Sequence, residues 1–223
     1  LSLSFRPPQE EGQRVLEGLF VAAPGAGADQ VRAACRDGYD RLAAPSMETE
    51  LRNVLKALAD RKSVEVFARN VREVLLDSPL GQRAVLAVDP GVRTGCKLTC
   101  LDPQGRLLAT EVVYLHTPRG REEGARTIRE LLRQHPAEAV AVGNGTGGRE
   151  AEDFLRSLDL PGSPVVVSVS EQGASVYSAS ETAREEFPDQ DVTVRGSVSI
   201  GRRLQDPLAE LVKIDPKSLG VGQ

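Results

Sequence analysis

Val85-Leu-Ala-Val-Asp-Pro-Gly-Val-Arg-Thr-Gly-Cys-Lys-Leu-Thr-Cys100 is the stretch on which the reading of the fold turns. Val85 to Val88 are apolar and run straight into an acid, after which come Pro90 and Gly91. A short apolar run bounded by turn residues reads as a buried strand, with Asp89 at its end. Gly95 to Leu101 read as a second strand returning beside the first. Asp102-Pro-Gln-Gly105 then turn the chain into a third strand, Leu107 to Tyr114. The product is a three-strand meander with a carboxylate at the tip of its first strand.

Downstream of the meander the pattern changes period. Arg119 to Gln134 predict an amphipathic helix with Ile128, Leu131 and Leu132 inward, and Ala137 to Val142 a fourth strand. A glycine loop, Gly143-Asn-Gly-Thr-Gly-Gly148, leads into a helix from Arg149 to Leu158. Val165 to Val169 form a fifth strand that stops at Ser170-Glu171, and helices follow. Strands alternating with helices imply an α/β mixed sheet with flanking helices. Sites in such sheets lie just beyond strand ends, where Asp89, the glycine loop and Glu171 all fall. Two chemistries begin with this meander. In RNase H-like nucleases the acid holds a divalent metal, and in actin-like ATPases it organises the metal–phosphate end of ATP.

Asp89 and Glu171 are the first two candidate catalytic and metal-binding residues, each at the end of an apolar strand. Asp206, in Arg202-Arg-Leu-Gln-Asp-Pro-Leu-Ala-Glu-Leu211, is the third. Carboxylates are hard oxygen ligands suited to Mg²⁺ or Mn²⁺, and metals shared by acids activate water for phosphodiester cleavage. Competing readings stand beside this one. Asp89 and Glu171 could simply begin turns. Asp206 could pair with Arg202 one helical turn earlier, or cap a helix that starts at Pro207. The glycine loop precedes a helix N-terminus as a phosphate cradle would, but has no Gly-Lys-Ser/Thr, and equally suits a tight connection. Arg93, Lys97, Arg202 and Arg203 are the candidate nucleic-acid contacts.

Composition sets outer bounds. The chain has 223 residues, 40% apolar, with 4% aromatic and no Trp. That scarcity of rings argues against single-strand binding by stacked aromatics. Lys and Arg number 28 against 32 Asp and Glu, so any basic surface is local. Three cysteines, Cys35, Cys96 and Cys100, lack ligands at zinc spacing and read as buried thiols in a reducing, cytoplasmic setting. No apolar run has membrane-spanning length. The lack of an initial Met and the end at Gly220-Val-Gly-Gln223 suggest a piece of a longer protein.

Residues 1–82 read as a helical segment of a larger helical region. Residues 1–5 alternate apolar and polar. Pro7-Pro8 open a helix bearing Val15, Leu16, Leu19 and Phe20, and a second carries Val31 to Leu42 and stops at Pro45. Ser46 is the expected N-cap of a long helix reaching Leu76.

Four blocks together resemble the Tex family of transcription accessory proteins. They are Leu86-Ala-Val-Asp-Pro-Gly-Val-Arg-Thr-Gly-Cys-Lys, Val142-Gly-Asn-Gly-Thr146, Glu171-Gln-Gly-Ala-Ser-Val-Tyr-Ser-Ala-Ser180, and Ile200 to Ser218. Ala44-Pro-Ser-Met-Glu-Thr-Glu50 also resembles that family's helical region. The resemblance implies an RNase H-like domain of the YqgF/RuvC type over residues 83–214, with 215–223 beginning a following region. It implies a cytoplasmic, multidomain binder of RNA or DNA that works with transcription machinery. Its helix-hairpin-helix and OB-fold nucleic-acid modules would lie outside this chain. By position it implies Asp89, Glu171 and Asp206 as the acids. Two departures weaken metal holding: Ala209 stands where resolvase-type sites have a further acid, and Ser170 where stand-alone YqgF proteins have an Asp. The expected role is therefore a binding or scaffold module, with an Mg²⁺- or Mn²⁺-dependent nuclease as the alternative.

Overall fold

A computed structural model describes residues 4–220; the readings at residues 1–3 and 221–223 lie outside them. β1 (Val85–Asp89) is the central strand of a five-stranded mixed sheet. It pairs antiparallel with β2 (Cys96–Leu101), which pairs antiparallel with β3 (Leu107–Val113). On its other side it runs parallel to β4 (Ala139–Gly143), and β4 runs parallel to β5 (Val165–Val169). The meander and the later strands are thus as expected. The parallel pairs need crossovers, supplied by α4 (Pro118–Gln134) and α5 (Gly148–Ser157).

Both faces of the central strands are covered, and Val85 to Val88 have no exposed surface. On one face Leu86, Val88, Cys96, Leu98 and Cys100 pack with Ile128, Leu131 and Leu132 of α4 and Leu155 of α5. On the other face lies α8 (Val192–Gln205), whose Val198 and Ile200 meet Leu101 and Val85. Small residues let α8 lie close. A Cβ at Gly201 would come within 2.5 Å of Leu101 and 3.0 Å of the Ala87 Cβ. Thr99 donates a buried hydrogen bond of 2.8 Å to the Ser197 hydroxyl. Cys96 and Cys100 face the same core as free thiols, and burial pushes the Cys100 thiol up to about 11.

The remaining elements are short: α6 (Ala174–Ala179), α7 (Glu181–Glu186), α9 (Pro207–Leu211) and a 3-10 turn (Pro216–Leu219). Tyr177, Ala183, Leu211, Ile214 and Leu219 form their common core.

The chain divides into two compact units between Val66 and Phe67. The earlier unit holds α1 (Gln9–Phe20) and α2 (Ala26–Gly38), and α3 (Ala44–Leu75) begins there. Buried Tyr39 donates its hydroxyl hydrogen bond to the Pro7 carbonyl, and Gly12 leaves room for its ring. The expected break at Pro45 with a cap at Ser46 is corrected: the helix runs on. Residues Tyr39–Ala43 form a π-helical turn, and the Ala44 N–H reaches back to Tyr39. This π turn lies just before Pro45, whose missing N–H does not end the helix. α3 has 32 residues, which makes it about 48 Å long. In the later unit, Val74 and Leu75 pack on the Tyr177 cluster.

Candidate functional site

β1, β4 and β5 run parallel, so their C-terminal ends share one edge of the sheet. That brings Asp89, the glycine loop after β4 and Glu171 after β5 to the same place. The glycine loop forms the floor. A methyl at Gly145 would overlap the Glu171 carboxylate, and a Cβ at Gly143 would lie 2.5 Å from its Oε2 and 3.1 Å from Pro90. The two glycines therefore leave room for the Glu171 carboxylate. The Asn144 side-chain oxygen accepts the Glu171 backbone N–H at 3.3 Å.

Arg203 fixes this arrangement from behind. It is 4% exposed, and its Nη1 donates to the Ser170 carbonyl at 2.8 Å and the Gln172 carbonyl at 2.7 Å. Those two carbonyls flank Glu171, so Arg203 is a positioning residue and not a surface phosphate contact. Burial lowers its pKa, opposed by the charges of Glu210 and Glu171.

Asp89 lies under the first turns of α8, with its Oδ2 3.7 Å from the place of a Cβ on Gly196. Burial first, and the Glu171 charge second, push its carboxyl up to about 6, against the pull of Lys97. Lys97 stands directly across from Asp89 on β2 and is 7% exposed. Its Nζ donates to the carbonyls of Thr94 at 2.9 Å and Gly95 at 3.1 Å. The ammonium field also reaches Asp191, the N-cap of α8. Asp191 Oδ1 accepts from the Thr193 hydroxyl and from the backbone N–H groups of Thr193 and Val194. The bonds to Thr193 and Val194, helped by Lys97, hold its carboxyl below the usual range.

Asp206 is not at this edge. Its neighbour Gln205 donates to the carbonyls of Arg83 at 2.7 Å and Asp102 at 2.8 Å, just before β1 and just after β2. That is the opposite edge of the sheet from Asp89. There Asp206 caps α9, accepting from the Ala209 N–H at 3.0 Å ahead of Pro207. The capping alternative is the one realised, and the expected three-acid cluster is not assembled. Among the described residues no group of three or more His, Cys, Asp or Glu side chains could hold a metal ion.

The candidate basic contacts also separate. Arg202 is engaged with Glu186 at 2.6 Å, the Gly105 carbonyl at 2.9 Å and the Phe187 ring at 4.8 Å. Lys97 and Arg203 are buried. Arg93, in the turn after β1, is exposed and is the one of the four that offers its charge to solvent. Sequence reasoning missed that Lys97 is buried across from Asp89 and that Arg203 braces the backbone on both sides of Glu171. The burial of Lys97 had a signal: it sits between Cys96 and Leu98 on a strand expected at the middle of a covered sheet.

A family profile described as "Tex protein YqgF-like domain" matches residues 83–205. The chain belongs to the Tex YqgF-like family. Its RNase H-like sheet accounts for the strand order and for the acids at its edge. The chain is 44% identical over its whole length to the uncharacterized protein YdcI of Bacillus subtilis, of which it covers 32%. It is 47% identical to protein tex of Bordetella pertussis, over 92% of the chain and 26% of that protein. It is 45% identical to the human S1 RNA-binding domain-containing protein 1, over 83% of the chain and 19% of that protein. It thus spans about a third or less of these relatives. No helix among the described residues is long and apolar enough to cross a membrane.

The fold raises the question of Mg²⁺ or Mn²⁺ at the Asp89–Glu171 edge. The residues present do not fit a two-metal nuclease centre. Asp89 and Glu171 come to this edge, the third expected acid is at the far end of α8, Asp191 gives its Oδ1 to the cap, and buried Lys97 stands across from Asp89 in the strand register.

Proposed function

We propose that the chain is the RNase H-like module of a larger, cytoplasmic, nucleic-acid-binding accessory protein of transcription, and that it serves as a binding or scaffold element. The observation that carries this reading is the incomplete acid centre: Asp206 lies at the opposite edge, capping α9. The family membership supports the setting, and relatives carry the names Tex and S1 RNA-binding domain-containing protein. RNA or DNA would be held mainly by parts of the protein beyond these residues, with transcription machinery as the protein partner. Exposed Arg93 at the acid edge is the contact this module would add.

The test is nucleic-acid binding by the full-length protein across a salt series. Affinity falling steeply with salt supports the reading, and no salt-sensitive binding overturns it. A parallel assay offers the 223-residue chain labelled RNA and DNA with Mn²⁺. Cleavage that Asp89→Asn abolishes would replace the scaffold by the nuclease alternative.

A further inference from the structure

The mismatch between the acid edge and a divalent metal points to what takes the metal's place. We propose that Lys97 is the resident cation of this site, supplying the positive charge that a divalent ion would otherwise supply and keeping such an ion out. This deepens the scaffold reading and rests on it, since a site with its own cation needs none from solution.

Lys97 is buried, and a buried ammonium survives only when its donors are satisfied and its charge is matched. The donors are satisfied here, and acids stand close by in the fold. The turn after β1 is folded so that the carbonyls of Thr94 and Gly95 converge on Nζ. Gly95 has a φ of +80°, and a Cβ there would come 2.7 Å from Val112, so the turn requires glycine. Its field reaches Asp89, directly opposite in the strand register, and Asp191 at the start of α8, without cancelling the cost of burying the Asp89 charge. A doubly charged ion seated against Asp89 would be repelled by this ammonium, whose side chain is buried and held by the Thr94 and Gly95 carbonyls.

Calorimetric titration of the metal-free 223-residue chain with Mn²⁺ tests this. The wild type is expected to bind no Mn²⁺ below about 1 mM, and Lys97→Met to bind at least about tenfold more tightly. Adding Asp89→Asn to Lys97→Met is expected to remove that binding. Asp89-dependent Mn²⁺ binding by the wild type overturns the proposal, as does a folded Lys97→Met chain that binds no better than wild type. Should Lys97→Met fail to fold, Lys97→Gln keeps a donor for the Thr94 and Gly95 carbonyls and takes its place under the same criteria. Metal titration involves no nucleic acid, so failure here and failure of the scaffold reading are separately visible.

Discussion

Replacing Asp89 by asparagine keeps the shape of the side chain and removes a charge that the native state holds at a cost. Burial and Glu171 raise the carboxyl from 3.8 to about 6 in the folded chain. Two units at ~1.4 kcal/mol each set an upper bound of ~3 kcal/mol on the native-state penalty at neutral pH. Partial exposure of the site and solvent screening reduce the expected value to ~1–2 kcal/mol. Below about pH 4 the carboxyl is neutral in both states, so wild type and Asp89→Asn should have nearly the same stability. Between about pH 4 and 6 the unfolded chain releases the proton while the folded chain keeps it, and wild type loses stability as pH rises. Above about pH 6 the loss is complete, and Asp89→Asn should be the more stable protein by that amount. Urea titrations at about pH 4 and pH 8, with metal removed and followed through the β1 amide signals, isolate the sheet-bearing unit. An Asp89→Asn chain that is equal to or less stable than wild type at about pH 8 would refute the reasoning. The Asp89 charge would then be favourably held in the native state.

Three further outcomes follow from the same geometry. Arg203→Met should destabilise the sheet-bearing unit by ~2–4 kcal/mol, because the Ser170 and Gln172 carbonyls lose their buried donor; a change under ~0.5 kcal/mol in urea titration contradicts the positioning role. Asp206→Ala should cost ~1 kcal/mol as a lost cap of α9, and should leave the pH dependence attributed to Asp89 unchanged. A changed dependence would show that the two acids share a site. Gly145→Ala should lower stability by ~0.5–1 kcal/mol, since its methyl overlaps the Glu171 carboxylate and that flexible side chain must shift. Thermal melting at the wild-type temperature would show that the loop does not enclose that acid.

The sheet was legible because its signals are local. The apolar runs Val85–Val88 and Val165–Val169, with turn residues at Pro90-Gly91 and Asp102-Pro103, are strands in any context that buries them. Pro45 shows the limit of the same method. Proline normally ends a helix, yet a preceding π turn, which no local pattern announced, carries the helix through it.

The site divides along the same line. By itself the sequence determined that Asp89 and Glu171 stand at strand ends, because strand limits follow from hydrophobic pattern, and parallel order then places those ends at one edge. It also contained the capping signature of Asp206-Pro207. Only the tertiary structure decided that this cap lies at the opposite edge, since α8 crosses the sheet with its N-terminal turns over Asp89 and its last residue bonded behind β1 and β2. The tertiary structure also decided the fate of the basic residues. Whether a lysine or arginine meets solvent or a buried acid depends on which element covers it, and that is a property of packing between distant segments. Lys97 and Arg203 look like surface charge in the chain and become internal partners once α8 closes over the sheet.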